Sequence, residues 1–209
     1  LADAIEYLKE EQALLSEENR VRTERASYEA QNRIYDSVSY IVRPQLDEAL
    51  SLLADENIQE DDFQRRLSKS MLLCVYVKRR MNLALLAADS ETLPVRELVF
   101  AIRETVEYLG CAGINAHVEA EGYDQNIPAE WLIFVYDFLE ELIETAFPDL
   151  SALLINVRGK DPFGLMLTTD APAGRVREGW RSGQMQRLGA EAEFRQDEDT
   201  LYARLFFAQ

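Results

Sequence analysis

Histidine occurs once in this chain, at His117. One imidazole excludes histidine-rich metal centres, and no HExxH zinc signature is present. Cysteine is nearly as scarce: Cys74 and Cys111 stand far apart, with no CxxC pair. Two lone thiols in apolar sequence fit buried residues of a reducing compartment rather than a disulfide framework. The GxSxG nucleophile elbow and the dinucleotide fingerprint are also missing, which removes the sequence support for a hydrolase or a dehydrogenase. No stretch of about 18 apolar residues occurs, so no segment is expected to span a membrane, and no signal peptide is visible. The chain begins with Leu rather than Met, as expected of a fragment with a sensor or membrane portion upstream. Basic residues are in deficit: 22 Lys and Arg stand against 38 Asp and Glu, a formal charge of −16. Such a field repels nucleic acid and anionic lipid, and opposes a polyphosphate unless a basic cluster or a metal offsets it.

What is present is apolar patterning. Hydrophobic residues make up 47% of the chain, enough for a packed core. In residues 1–30, Leu1, Ile5, Leu8, Gln12, Leu15 and Asn19 follow spacings of four and three, the mark of a coiled coil with polar interruptions. Gln31–Leu53 carries a stronger stripe through Ile34, Val38, Ile41, Val42, Leu46, Ala49, Leu50 and Leu53, with Tyr35 and Asp36 on its polar rim. Pro44 lies inside the pattern and is expected to kink the helix. One continuous helix from about residue 2 to about 55 is the simplest reading. Asp55–Asp62 reads as a hairpin loop in which Asp61 or Asp62 caps the next helix. Phe63, Leu67, Met71, Cys74, Val77, Met81, Leu85 and Ala88 then trace a second stripe. Two antiparallel helices cannot hide both stripes alone, so residues 31–90 are expected to form a homodimeric four-helix bundle. Lys78, Arg79 and Arg80 are the one basic cluster on this hairpin. They read either as a solvated turn or as a contact for a phosphate or an acidic partner domain.

Residues 93–209 alternate between periods. A helix is predicted over Val95–Leu109, starting near Thr92 with Pro94 in its first turn. A strand follows over Ile114–Ala120, which contains His117, then a helix from Pro128 through Ala146. Ala152–Arg158 and Phe163–Thr169 read as strands, Ala171–Gly179 as a loop and Trp180–Leu188 as a short helix. Glu191–Gln196 and Thr200–Phe207 form a final hairpin. The fold class is therefore α+β, a long helical hairpin followed by alternating helices and strands.

Three sets of residues carry a resemblance. They are the aromatic–acid pair Tyr35–Asp36 on the hairpin, the segment Glu141–Ala146 (ELIETA), and the ending RLGAEAEFRQDEDTLYARLFF after Asp170–Gly174 (DAPAG). In this order they resemble the cytoplasmic part of a bacterial sensor histidine kinase, over nearly the whole chain. The resemblance implies a signalling helix (1–30), a dimerisation hairpin (31–90) and an α/β sandwich (93–209) of the histidine kinase, gyrase and chaperone ATPase type. It also implies ATP with magnesium as cofactor, a homodimer, a response-regulator receiver domain as partner and a cytoplasmic location.

The same resemblance assigns roles that this sequence meets only in part. The phosphoacceptor position holds Tyr35 instead of His, with Asp36 beside it. Phenols ionise near 10 in general and are poor nucleophiles without a base. Glu141 fits the general-base position of the metal-binding helix. Thr145 stands where the magnesium-ligating Asn belongs, and Glu144 is an additional hard oxygen donor. Read without the resemblance, Asp137, Glu140, Glu141 and Glu144 form a solvated acidic face. Asp170 fits the adenine-binding carboxylate and Gly174 the last glycine of its box, but Pro172 replaces the middle one. The short run Arg175–Gly179 leaves little chain to cover a triphosphate, with Arg175, Arg177 and Arg181 as substitute charges. The expectation is a degenerate kinase that signals by dimer conformation and partner contact, the alternative an ATP-binding kinase or phosphatase of a response regulator.

Overall fold

A computed structural model describes residues 2–54, 60–171 and 179–207. The chain divides into two compact units, Leu1–Ile41 and Val42–Gln209. The first is the leading part of helix α1 (Ala2–Leu53). Its side chains from residue 11 to 33 are exposed, including the apolar Leu14, Leu15, Val21 and Tyr28. Ion pairs between Arg20 and both Glu17 and Glu24, and between Arg25 and Glu29, lie along the helix at spacings of three and four. The side chains of Leu1, Ile5 and Leu8, on which the coiled-coil pattern began, fall outside the described residues.

In the second unit the end of α1 meets helix α2 (Glu60–Asp89) as a hairpin. Lys69 pairs with Glu48, and the Ser70 hydroxyl donates to the carbonyl of Ala49 at 3.2 Å. Most of the loop expected at 55–62 lies outside the described residues. Asp61 and Asp62 sit in the first turn of α2 rather than before it. The stripe predicted for α2 is not its buried one. Phe63, Met71 and Cys74 are exposed, while Leu72, Leu73, Tyr76, Arg80 and Leu83 are buried against the rest of the unit. Cys111 is exposed as well, so neither thiol is the buried residue that its apolar neighbours suggested.

After the hairpin come β1 (Thr92–Pro94), α3 (Val95–Cys111), β2 (Asn115–Glu121), β3 (Asn126–Pro128) and α4 (Ala129–Ala146). The chain continues through β4 (Ala152–Arg158), β5 (Gly164–Thr169), α5 (Ser182–Leu188), β6 (Ala190–Asp197) and β7 (Thr200–Phe207). Five strands form one mixed sheet in the order β2-β4-β5-β7-β6, where β2 and β4 run parallel and the other neighbours antiparallel. The small strands β1 and β3 pair with each other, so Pro94 ends a strand instead of opening the helix from inside its first turn.

Alternation decides which face of the sheet is covered. Leu153, Ile155, Val157, Leu165, Leu167, Leu201, Ala203, Leu205 and Phe207 are buried, while their neighbours Leu154, Met166 and Tyr202 are exposed. Trp131 of α4 stacks on Phe207 with ring centroids 4.5 Å apart, and Phe134 meets Phe207 edge-on. On its other side α4 faces α2, where Tyr76 stacks on Tyr136 at 5.6 Å. Hence α4 is covered on both sides, which explains its nearly all-round apolar sequence. The unit is layered as sheet, then α3 and α4, then α2.

Candidate functional site

The helix that the resemblance marks for nucleotide chemistry is the most enclosed element of the unit. Asp137 is 2% exposed, and Glu140 and Glu141 are each 8% exposed. The solvated acidic face is therefore overturned: α2 and the sheet cover the helix that carries it. Asp137 is enclosed with partners. Its Oδ1 accepts from the Tyr76 hydroxyl at 2.8 Å and from Arg80 Nε at 2.7 Å, both on α2. Its Oδ2 accepts from Arg181 Nη1, at the entrance to α5. Burial of the Arg80 guanidinium and half-burial of that of Arg181 are tolerated because one carboxylate accepts from both. Burial, reinforced by the charges of Asp137 and Glu140, pushes the Tyr76 hydroxyl far above its ordinary ionisation range.

Glu140 lies one turn further along the same face. Burial raises its pKa well above the usual carboxylate range, and Glu144, Asp137 and Glu48 add to that while Lys69 opposes it. Thr145 turns its hydroxyl back onto its own helix, donating to the carbonyls of Glu141 at 2.9 Å and Leu142 at 3.0 Å. Asp170 closes β5 onto the start of β4. Its Oδ1 accepts the amides of Ser151 and Ala152, and its Oδ2 accepts the Ser151 hydroxyl. Partial burial raises the Asp170 carboxyl, but these hydrogen bonds outweigh it and hold the group below its ordinary range.

The basic triplet of α2 is engaged inside the unit. Lys78 and Arg79 both pair with Glu104 of α3, and Arg80, 6% exposed, pairs with Asp137. Tyr35 and Asp36 are exposed residues of the first unit, on α1. His117 is an exposed residue of β2 with Glu119 at 3.8 Å. Gly174, with Pro172, Arg175 and Arg177, lies outside the described residues.

A magnesium nucleotide needs outward-facing oxygens, and two of the assigned side chains are engaged in internal bonds. Thr145 is bonded to its own helix, and both oxygens of Asp170 already hold the β4 turn. Among the described residues no three His, Cys, Asp or Glu side chains converge as a metal site would require. What the structure does bring together is Tyr76, Arg80, Asp137 and Arg181. The sequence contained a signal for this cluster: Tyr76 and Arg80 are four residues apart on α2, and Asp137 sits in the otherwise apolar run Phe134–Leu139.

No protein-family model matches the chain, and no curated protein matches it. Among solved structures, a bacterial phosphotransferase shares 10% identity over 83% of this chain and 92% of its own, with a TM-score of 0.46. The histidine kinase domain of the EL346 blue-light activated histidine kinase from Erythrobacter litoralis shares 16% identity, covering 80% of this chain and 95% of its own at a TM-score of 0.45. The Acinetobacter baumannii histidine kinase AdeS shares 13% identity, covering 83% of this chain and 96% of its own at 0.43. Among the described residues no helix is long and apolar enough to cross a membrane.

Proposed function

We propose that this chain is a two-component signalling protein of sensor histidine kinase type, in which nucleotide chemistry has given way to conformational signalling. One observation carries the reading: side chains at the nucleotide positions implied by the sequence are used as internal structure. Asp170 fastens a turn, Thr145 bonds its own helix, and α2 covers the acidic face of α4. The acceptor position offers a phenol, Tyr35, rather than an imidazole. The chain acts as a cytoplasmic homodimer whose hairpin contacts a receiver domain. The dimer is supported by apolar residues left exposed on the hairpin, Leu46, Leu50 and Leu53 on α1 and Phe63 and Met71 on α2. In each set the spacing of three, four or eight residues places the side chains on one helix face.

Titration calorimetry with ATP and magnesium tests the reading. The expected outcome is no heat of binding at millimolar nucleotide and no stable radiolabel on the chain after incubation with labelled ATP. Tight binding that is lost in Asp170→Asn would instead favour an ATP-binding kinase or phosphatase.

A further inference from the structure

Arg181 is one of two residues other than glycine with a positive φ among the described residues, at 42°. An arginine held in the left-handed region is strained and persists only when its surroundings fix it. Its guanidinium pairs with Asp137 Oδ2, meets the Tyr76 hydroxyl, and lies over the Trp180 ring at 5.1 Å from the centroid. Trp180 in turn rests on α4, 5.3 Å from Phe134 and 5.8 Å from Phe138. The corner that leads into α5 and β6 is thus held against α4 by one carboxylate and by the packing of Trp180 on two phenylalanines. That carboxylate spends its other oxygen on α2, through Tyr76 and Arg80.

From this sharing we infer that Asp137 is a transmission point: the seating of α2 on α4 controls the strained Trp180–Arg181 corner, so a displacement of the hairpin helix is read out at α5 and the edge strand β6. The physical basis is that Asp137 is fully enclosed. When α2 withdraws Arg80 and Tyr76, the carboxylate loses two of its three donors in a place that water does not reach freely. It must then turn toward solvent or draw Arg181 with it. The first motion removes the contact that keeps Arg181 in its unfavourable backbone conformation, and the second moves that contact and the corner with it. The neighbouring ties of α2, Lys78 and Arg79 to Glu104, lead to α3 and do not touch this carboxylate. The inference does not depend on whether the chain binds nucleotide.

The test perturbs α2 and reads the corner. In a Trp131→Phe background Trp180 is the only indole, since the chain has two tryptophans. Arg80→Met is expected to shift Trp180 emission to the red and to speed amide exchange over residues 179–189 at least tenfold. Exchange in β4, β5 and β7 should stay at the parental rate. Lys78→Met with Arg79→Met should leave both readouts unchanged. Tyr76→Phe keeps the ring stack, removes the hydroxyl that donates to Asp137 and meets Arg181, and should move both readouts in the same direction by a smaller amount; it carries the test if Arg80→Met does not fold. An unmoved corner in Tyr76→Phe and Arg80→Met would overturn the inference. So would an equal response to the Lys78 and Arg79 changes, or acceleration spread evenly over the sheet.

Discussion

Asp137 and Glu140 sit three residues apart on one face of α4, yet their surroundings differ in kind. Asp137 has three donors around it, whereas Glu140 has mainly other acids, Glu144, Asp137 and Glu48, with Lys69 as the opposing charge. A glutamate whose pKa is raised on folding supports the fold fully below its unfolded value, about 4.3, and that support is lost as pH climbs through the raised value. Glu140→Gln removes the ionisation. Its unfolding free energy should match the parent near pH 4 and exceed it by about 1–3 kcal/mol at pH 8, measured by urea titration at each pH. A gap that closes rather than opens toward alkaline pH would contradict this environment. These roles were hard to read from residues alone. Four acids on an amphipathic pattern suggest a wet surface, and only the third layer, α2, makes that surface an interior. The sequence did contain Arg80 four residues after Tyr76, but assigning them to Asp137 requires knowing that α2 turns that side, not its Phe63–Met71 side, toward α4.

At the scale of elements, periodicity located what was long enough to have a period. Helix α4, expected over Pro128–Ala146, spans Ala129–Ala146, and β4 and β7 fall at the expected residues. Strands β1 and β3 were not anticipated, because three residues cannot display an alternation. For α2 the helix was legible and the buried face was not, since it carries two apolar stripes and sequence cannot rank them. The sheet itself offers a sharper element-level test at Gly164. It opens β5 where the backbone of β7 comes so close that a Cβ would collide with the Leu205 carbonyl. Gly164→Ala should destabilise the unit by about 1–3 kcal/mol, seen as a lowered melting temperature, because a backbone atom cannot rotate away as a side chain can.

For the molecule as a whole, the exposed hairpin stripe is the feature that a lone copy leaves unexplained. Leu50 is 69% exposed, with Leu46 and Leu53 at helical spacing beside it. Light scattering at micromolar concentration should give the mass of a dimer, and Leu50→Glu combined with Met71→Glu should give 24.0 kDa without loss of helical circular dichroism. A parent chain that scatters as a monomer would count against the bundle. The strand order has a different kind of consequence. The last strand along the chain, β7, is an interior one, flanked by β5 and β6, and its Phe207 lies under Trp131. During synthesis, α4 and the first three strands of the sheet therefore emerge with their apolar sides uncovered. They lack that cover until β7 has been made and has inserted, a window in which the chain invites chaperones or aggregates.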